Sequence, residues 1–198
     1  MTSILKADTI QDADGNNIIN ENSNTITIGA SGDTTNIIGT LQNNGSAVGG
    51  TNTPTFFAYR SSNQSINDDA ATKINFNAEL FDSDNTFDAS TNYRFTPAVA
   101  GKYFIYGMVA IGSGTGVNNA ERLFVALYKN GSKYQQAVHD GRNNAYGDTF
   151  GGTVNAIIDL DADDYVELYA KFHDGGSAGS NNYYTDSTTF GGFRITGL

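Results

Sequence analysis

Two histidines, His139 and His173, each precede an aspartate, Asp140 and Asp174. An imidazole oriented by a carboxylate can accept a proton near neutral pH, so each pair is raw material for general-base chemistry. Neighbouring His and Asp recur by chance, however, and neither pair is framed by a Gly-x-Ser-x-Gly nucleophile elbow or a His-Glu-x-x-His metal motif. The chain has no cysteine, which removes thiol catalysis and thiolate zinc ligation. Glycoside cleavage needs two carboxylates facing each other across a cleft, and a chain with 21 acidic residues leaves such a pair open. The expectation is that this protein is not an enzyme.

Carboxylates gather in three places: Asp68-Asp69, Asp82 with Asp84 and Asp88, and Asp159-Leu160-Asp161-Ala162-Asp163-Asp164. The third opens like a calcium loop. A helix-flanked calcium loop, though, needs glycine at its sixth position and glutamate at its twelfth, where this chain has Asp164 and Ala170. An alternating strand follows directly, so the segment reads as an acidic hairpin turn and no metal ligand is assigned.

Binding residues are easier to nominate. Three segments rich in Gly, Ser and Asn, residues 112–120, 139–148 and 173–186, read as loops, and two of them carry tyrosines. Tyr146, Tyr183 and Tyr184 offer flat apolar faces plus a hydroxyl at low entropic cost. Asn143, Asn144, Asn181 and Asn182 stand beside them as hydrogen-bond donors and acceptors. The alternative is that these tyrosines only pack their own loops.

Such loops need a rigid scaffold, and the sequence describes one. Predicted strands fall near residues 56–60, 73–76, 93–96, 102–111, 122–129, 133–138, 149–160, 165–172 and 188–195. Asn130-Gly131 between two alternating runs is the clearest hairpin signal, and no segment shows sustained helical spacing. Nine or ten short strands with glycine-rich connections predict an all-β, antiparallel two-sheet jelly roll. The strand over 102–111 is apolar on both faces, with Tyr103, Ile105, Val109 and Ile111 on one and Phe104, Tyr106, Met108 and Ala110 on the other. One sandwich buries one face, so the second predicts contact with other copies of the chain. Tyr103, Phe104, Tyr106 and Met108 are the predicted interface residues.

The N-terminal quarter differs. Residues 1–53 contain none of the 12 Phe and 11 Tyr. They hold short clusters, Ile18-Ile19, Ile26-Thr27-Ile28 and Ile37-Ile38, separated by Gly, Asn and Ser. Alone these bury too little apolar surface to offset chain entropy. Residues 1–53 are therefore expected to form either an intertwined fibrous stem or a polar tether, ending in a Gly-Ser-rich linker, with 54–198 as the globular domain.

A net charge of −10 excludes nucleic acid as a partner, since phosphate binding needs clustered Lys and Arg. No apolar run is long enough to span a bilayer, and the opening Met1-Thr2-Ser3-Ile4-Leu5 gives way at once to polar sequence rather than a secretory core. Several copies would multiply the negative charge, so binding to an anionic cell surface would depend on short-range contacts and avidity rather than on steering.

Six blocks carry a family resemblance. They are residues 87–97 (Phe-Asp-Ala-Ser-Thr-Asn-Tyr-Arg-Phe-Thr-Pro), Ala100-Gly101-Lys102-Tyr103-Phe104, Val125-Ala126-Leu127-Tyr128-Lys129-Asn130-Gly131, Gly151-Gly152-Thr153-Val154, Asp164-Tyr165-Val166-Glu167-Leu168 and Phe190-Gly191-Gly192-Phe193. In this order they resemble the globular head domain of the first complement component and adiponectin, related to the tumour-necrosis-factor fold. The resemblance covers about residues 54–198. It implies a homotrimer, and it adds calcium as the one ion to look for near the trimer axis, without assigning it to a residue here. Vertebrate members often follow a collagen stem with glycine every third residue, which this chain lacks. Instead, Lys6-Ala7-Asp8-Thr9-Ile10-Gln11-Asp12 through Thr34-Thr35 resembles the opening of tail-fibre and other virion proteins of marine bacteriophages.

Together the resemblances imply a trimeric phage virion protein, assembled in the host bacterial cytoplasm. Residues 1–53 would dock it to other virion proteins. The head would be a tail-fibre or fibre-tip adhesin for a host surface glycan or protein; the alternative is a capsid decoration or head-fibre protein with a stabilising role.

Overall fold

The computed structural model describes residues 9–11, 13–15, 17–22, 25–28, 31–39, 41–43, 46–47, 52–112, 120–141, 149–174, 180–183 and 187–196. The chain divides into two compact units, Met1–Gly49 and Gly50–Leu198. All described regular structure is β, and no described helix is long and apolar enough to cross a membrane.

In the first unit, β1 (Thr9–Gln11), β2 (Asn17–Asn22) and β3 (Thr25–Ile28) form an antiparallel meander, and β4 (Gln42–Asn43) pairs with β5 (Ser46–Ala47). Register places Ile10 opposite Ile19 and Ile19 opposite Ile28, so the three isoleucines form one cross-strand row. All three remain exposed, at 39%, 37% and 55%: among the described residues no second layer covers them.

The second unit contains β6 (Thr55–Tyr59), β7 (Ser65–Asn67), β8 (Thr72–Lys73), β9 (Ala78–Asp82), β10 (Phe87–Asp88), β11 (Arg94–Phe95), β12 (Gly101–Gly112), β13 (Ala120–Lys129), β14 (Ser132–Asp140), β15 (Thr149–Leu160), β16 (Val166–Asp174), β17 (Ser180–Tyr183) and β18 (Thr189–Arg194). One sheet runs β10-β11-β16-β13-β14, with β8 also on β16. The other runs β7-β17-β12-β18-β6-β9, with β15 on the far side of β12. Every pairing is antiparallel.

Strand alternation builds the core. Leu123, Val125 and Leu127 of β13 and Val166, Leu168 and Phe172 of β16 face Tyr103, Ile105, Val109 and Ile111 of β12, all fully buried. At one end Phe56 stacks on Phe95 and Phe87, with ring centroids 4.5 and 5.1 Å away, and meets Phe190 edge-on at 5.1 Å. Offset and edge-on rings align each quadrupole with its neighbour, which adds to area burial. The predicted hairpin is present: Asn130 and Gly131 have φ of +50° and +75°, the left-handed pair of a tight two-residue turn. The Asn130 side chain reinforces it, accepting from Tyr165 N–H at 2.9 Å and donating to Asp164 at 2.6 Å.

The nine predicted strands are present, although the elements near 73–76 and 93–96 reduce to two residues each. Four more were not anticipated: β7, β9, β10 and β17. Two corrections follow. His139 and His173, expected in loops, lie within β14 and β16. Asn181, Asn182 and Tyr183, also expected in a loop, are strand positions of β17. Tyr183 pairs with Ile111 and Asn182 with Gly112 and Ser65, so β17 completes the hydrogen bonding of the β12 end and of β7. Buried backbone groups must be paired, and a polar segment can do so regardless of its side chains.

Candidate functional site

The second apolar face of β12 lies on the outer surface of its sheet, and cross-strand register extends it into rows. Ile157 of β15, Phe104 of β12 and Phe193 of β18 form one row; Tyr106, Gly191, Phe57 and Phe81 form the next, and Met108, Thr189 and Tyr59 a third. Phe104 contacts Tyr106 and Phe193 at centroid distances of 6.0 and 5.6 Å, and Phe57 meets Phe81 at 6.1 Å. Tyr106 lies across Gly191, where a Cβ would stand 2.5 Å from its hydroxyl oxygen, so glycine at that position seats the ring. Burial among these neighbours raises the Tyr106 hydroxyl pKa above the ordinary tyrosine range.

Ile157 is 58% exposed, Phe81 48% and Met108 37%. Isolated exposed apolar residues are ordinary, but a contiguous set in register across neighbouring strands marks a contact surface. Its border is charged: Lys102, at the start of β12, donates to Asp159 at 3.0 Å in an exposed pair.

Of the predicted interface residues, Phe104, Tyr106 and Met108 lie on this face. Tyr103 does not. It is fully buried between the sheets, with its ring against Phe95 at 5.5 Å and its hydroxyl donating to Val99 O at 2.6 Å. Strand period two sends neighbouring residues to opposite faces, so Tyr103 belongs to the core. The sequence reading missed Phe57, Phe81, Ile157 and Phe193. The alternation of Phe56 and Phe57 carried a signal for one of them; the rest emerge only from register.

Of the nominated binding residues, Tyr146, Tyr184, Asn143 and Asn144 lie outside the described residues. Asn181, Asn182 and Tyr183 are placed by backbone alone, on β17.

The acidic segments serve local structure. Asp88 accepts from the backbone N–H groups of Ser90, Thr91 and Asn92, which holds its carboxyl far below the usual aspartate range. Asp164 accepts from Lys129 at 2.7 Å, from Asp161 N–H at 2.8 Å and from the Asn130 amide, and its pKa falls to about 2. The segment is an acidic turn, as expected, but not a hairpin: it carries the chain from β15 in one sheet to β16 in the other, and the two strands do not pair. Asp82 caps the next turn through Phe87 N–H at 2.8 Å.

Asp68, Asp69 and His173 bring potential metal-ligand atoms within 4.8 Å of one another. Asp69 already bonds Lys171 at 2.9 Å and His173 Nδ1 at 2.8 Å, and these two contacts lower its pKa. The chain's own cationic and imidazole groups thus occupy that carboxylate. His139 is structural: Thr153 N–H donates to its Nε2 at 3.0 Å, which ties edge strand β14 to β15 of the opposite sheet.

The same architecture occurs in solved structures. The globular domain of a zebrafish complement 1qA protein shares 19% identity and superimposes with a TM-score of 0.51, covering 73% of this chain and 99% of that one. Murine APRIL, at 9% identity and TM-score 0.52, covers 71% of this chain and 98% of its own. The Eiger TNF of S. frugiperda, at 8% and 0.50, covers 73% and 93%. These likenesses show the jelly-roll fold. No curated protein matches the sequence. Domains of this kind are generally binding modules rather than enzymes, and typically trimers. Residues 55–195 match the C1q domain, so through its C-terminal unit this chain belongs to the C1q-domain family.

Proposed function

We propose that this protein is a homotrimeric binding head on an N-terminal stem, built into a bacteriophage particle as a tail-fibre or fibre-tip adhesin that recognises a host surface glycan or protein. The observation that carries the trimer is the in-register apolar face of β6, β9, β12, β15 and β18, which the subunit leaves open and which a threefold assembly would cover. The stem reading draws support from the exposed Ile10, Ile19 and Ile28 row, which would meet its equivalents in neighbouring chains. The virion location rests on the resemblance of residues 6–35 to tail-fibre openings. Three copies of one head would convert weak individual sites into firm attachment.

Sedimentation of the full chain tests the assembly. The wild type is expected to run as a trimer, Tyr106→Asp as a monomer and Lys102→Asp as a trimer. Tyr106 is half-buried against the Phe104 ring within the face that the trimer would cover, where an unpaired carboxylate costs several kcal/mol, while Lys102 stands at the exposed border. Adsorption competition tests the role: soluble protein added before phage should block attachment. A trimer that leaves adsorption untouched would move the assignment to capsid decoration.

A further inference from the structure

The outer face of the other sheet carries a groove of about 340 Å³, at the small end of the range for ligand sites. Its position follows from the sequence of β13, where Phe124, Ala126 and Tyr128 point outward in turn. Ala126, opposite Gln136 on one side and Tyr169 on the other, leaves a depression between aromatic walls. Tyr128 and Tyr169 pack with centroids 4.1 Å apart and form one wall. Phe124 forms the other, with Lys171 Nζ 4.7 Å from its ring centroid.

The rim is cationic in a chain of net charge −10. Lys171 is balanced by Asp69, and nearby Lys73 by Glu167 at 2.7 Å. Lys133 is not balanced. It is exposed, its ammonium donates to Gln136 Oε1 at 3.0 Å, and it meets no carboxylate among the described residues. Lys133 and Gln136 thus present an uncompensated positive charge and an amide beside rings. Tyrosine faces suit the C–H faces of a sugar, an amide suits its hydroxyls, and an ammonium suits a carboxylate as a point charge.

From this juxtaposition we infer that the groove over Ala126 binds a carboxylated sugar unit of a surface polysaccharide, stacked on Tyr128 and Tyr169 with its carboxylate on Lys133. This rests on reading the domain as a cell-surface binding head, and it places recognition on a strand face rather than on the nominated loops. The groove lies on the sheet opposite the proposed subunit contact, so three copies would remain open on the trimer.

The test is direct titration of the full-length protein with tetramannuronate, tetraglucuronate and sialyllactose, with neutral mannotetraose alongside, at low salt. Saturable binding of at least one acidic saccharide is expected, with mannotetraose markedly weaker. Lys133→Glu should weaken it by about fivefold or more, the scale of turning an exposed ion pair into a repulsion, while Lys133→Arg retains it. Lys133 is a surface residue, so neither variant threatens folding; Tyr169→Ala should abolish binding if circular dichroism shows it folded. Binding of none of the three acidic saccharides, equal binding of the neutral one, or indifference to Lys133→Glu would each overturn the assignment. The titration uses neither cells nor particles, so its failure leaves the attachment reading standing, and unblocked adsorption leaves saccharide binding standing.

Discussion

The two units handle isoleucine in opposite ways. In the C-terminal unit Ile66, Ile74, Ile105, Ile111 and Ile158 are at most 2% exposed, whereas described isoleucines of the N-terminal unit range from 37% to 96%. The residue type is the same; what differs is the second layer. Two sheets enclose the first set; of the second, Ile10, Ile19, Ile26 and Ile28 lie on a short three-stranded meander, and Ile37 and Ile38 lie outside any strand. Hydrophobic stabilisation scales with the area removed from water, so the C-terminal unit gains from its isoleucines a stabilisation that the described isoleucines of the N-terminal unit do not supply. The outer face of β12 stands between these cases, with apolar rings that rest on a folded sheet and still present a surface to others.

The sharpest way to break this comparison is to empty the self-sufficient core. Phe56→Ala removes the ring that joins Phe87, Phe95 and Phe190 and should cost about 3–5 kcal/mol, read by denaturant titration of the full chain. A much smaller loss would mean that assembly, not the subunit core, carries the head.

A second effect comes from acid. Asp164 and Asp88 have folded-state pKa values below those of unfolded aspartate, so each contributes stability that is fully present above about pH 4 and lost as pH falls. For Asp164 the loss should run its course by about pH 2. Denaturation midpoints measured from pH 6 to pH 2 should therefore fall toward acid, and Asp164→Asn should flatten that fall.

Gly131→Ala should cost about 1–2 kcal/mol, because an L side chain resists the left-handed backbone held there. The melting temperature of the head reads this directly.

The smallest effect sharpens the contrast. Changing Ile10, Ile19 and Ile28 together to Ser should leave the head's unfolding within about 0.5 kcal/mol of wild type, as for ordinary surface substitutions. The same triple change should accelerate proteolysis of residues 1–49 in the assembled protein. Unchanged proteolysis would favour a tether over an intertwined stem.

Much of the head was legible from local pattern. The double apolar run of β12, the alternation of β16 and the Asn130-Gly131 turn each follow from steric and hydrophobic rules acting over a few residues, and each is present where those rules place it. The elements that escaped are short or polar. Nothing in Ser180-Asn181-Asn182-Tyr183 announces a strand, because its pairing satisfies backbone groups of β12 and β7 that are distant in the chain. The candidate interface was half legible: Phe104, Tyr106 and Met108 could be read from period two, and the same period assigns Tyr103 to the core. The groove over Ala126 was not legible at all, since an alanine between two aromatics becomes a recess only when Tyr169 and Gln136 arrive from neighbouring strands.

By itself, then, the sequence determined the all-β class, the division into an aromatic-free and an aromatic-bearing region and the resemblance to a complement head, because composition and strand period act locally. Tertiary structure alone decided which face of the doubly apolar β12 looks inward, which residues join across strands into contact rows, and where a cation stands without a counter-charge among the described residues. Those properties depend on register between strands tens of residues apart, a quantity fixed by the packing of two whole sheets rather than by any one segment.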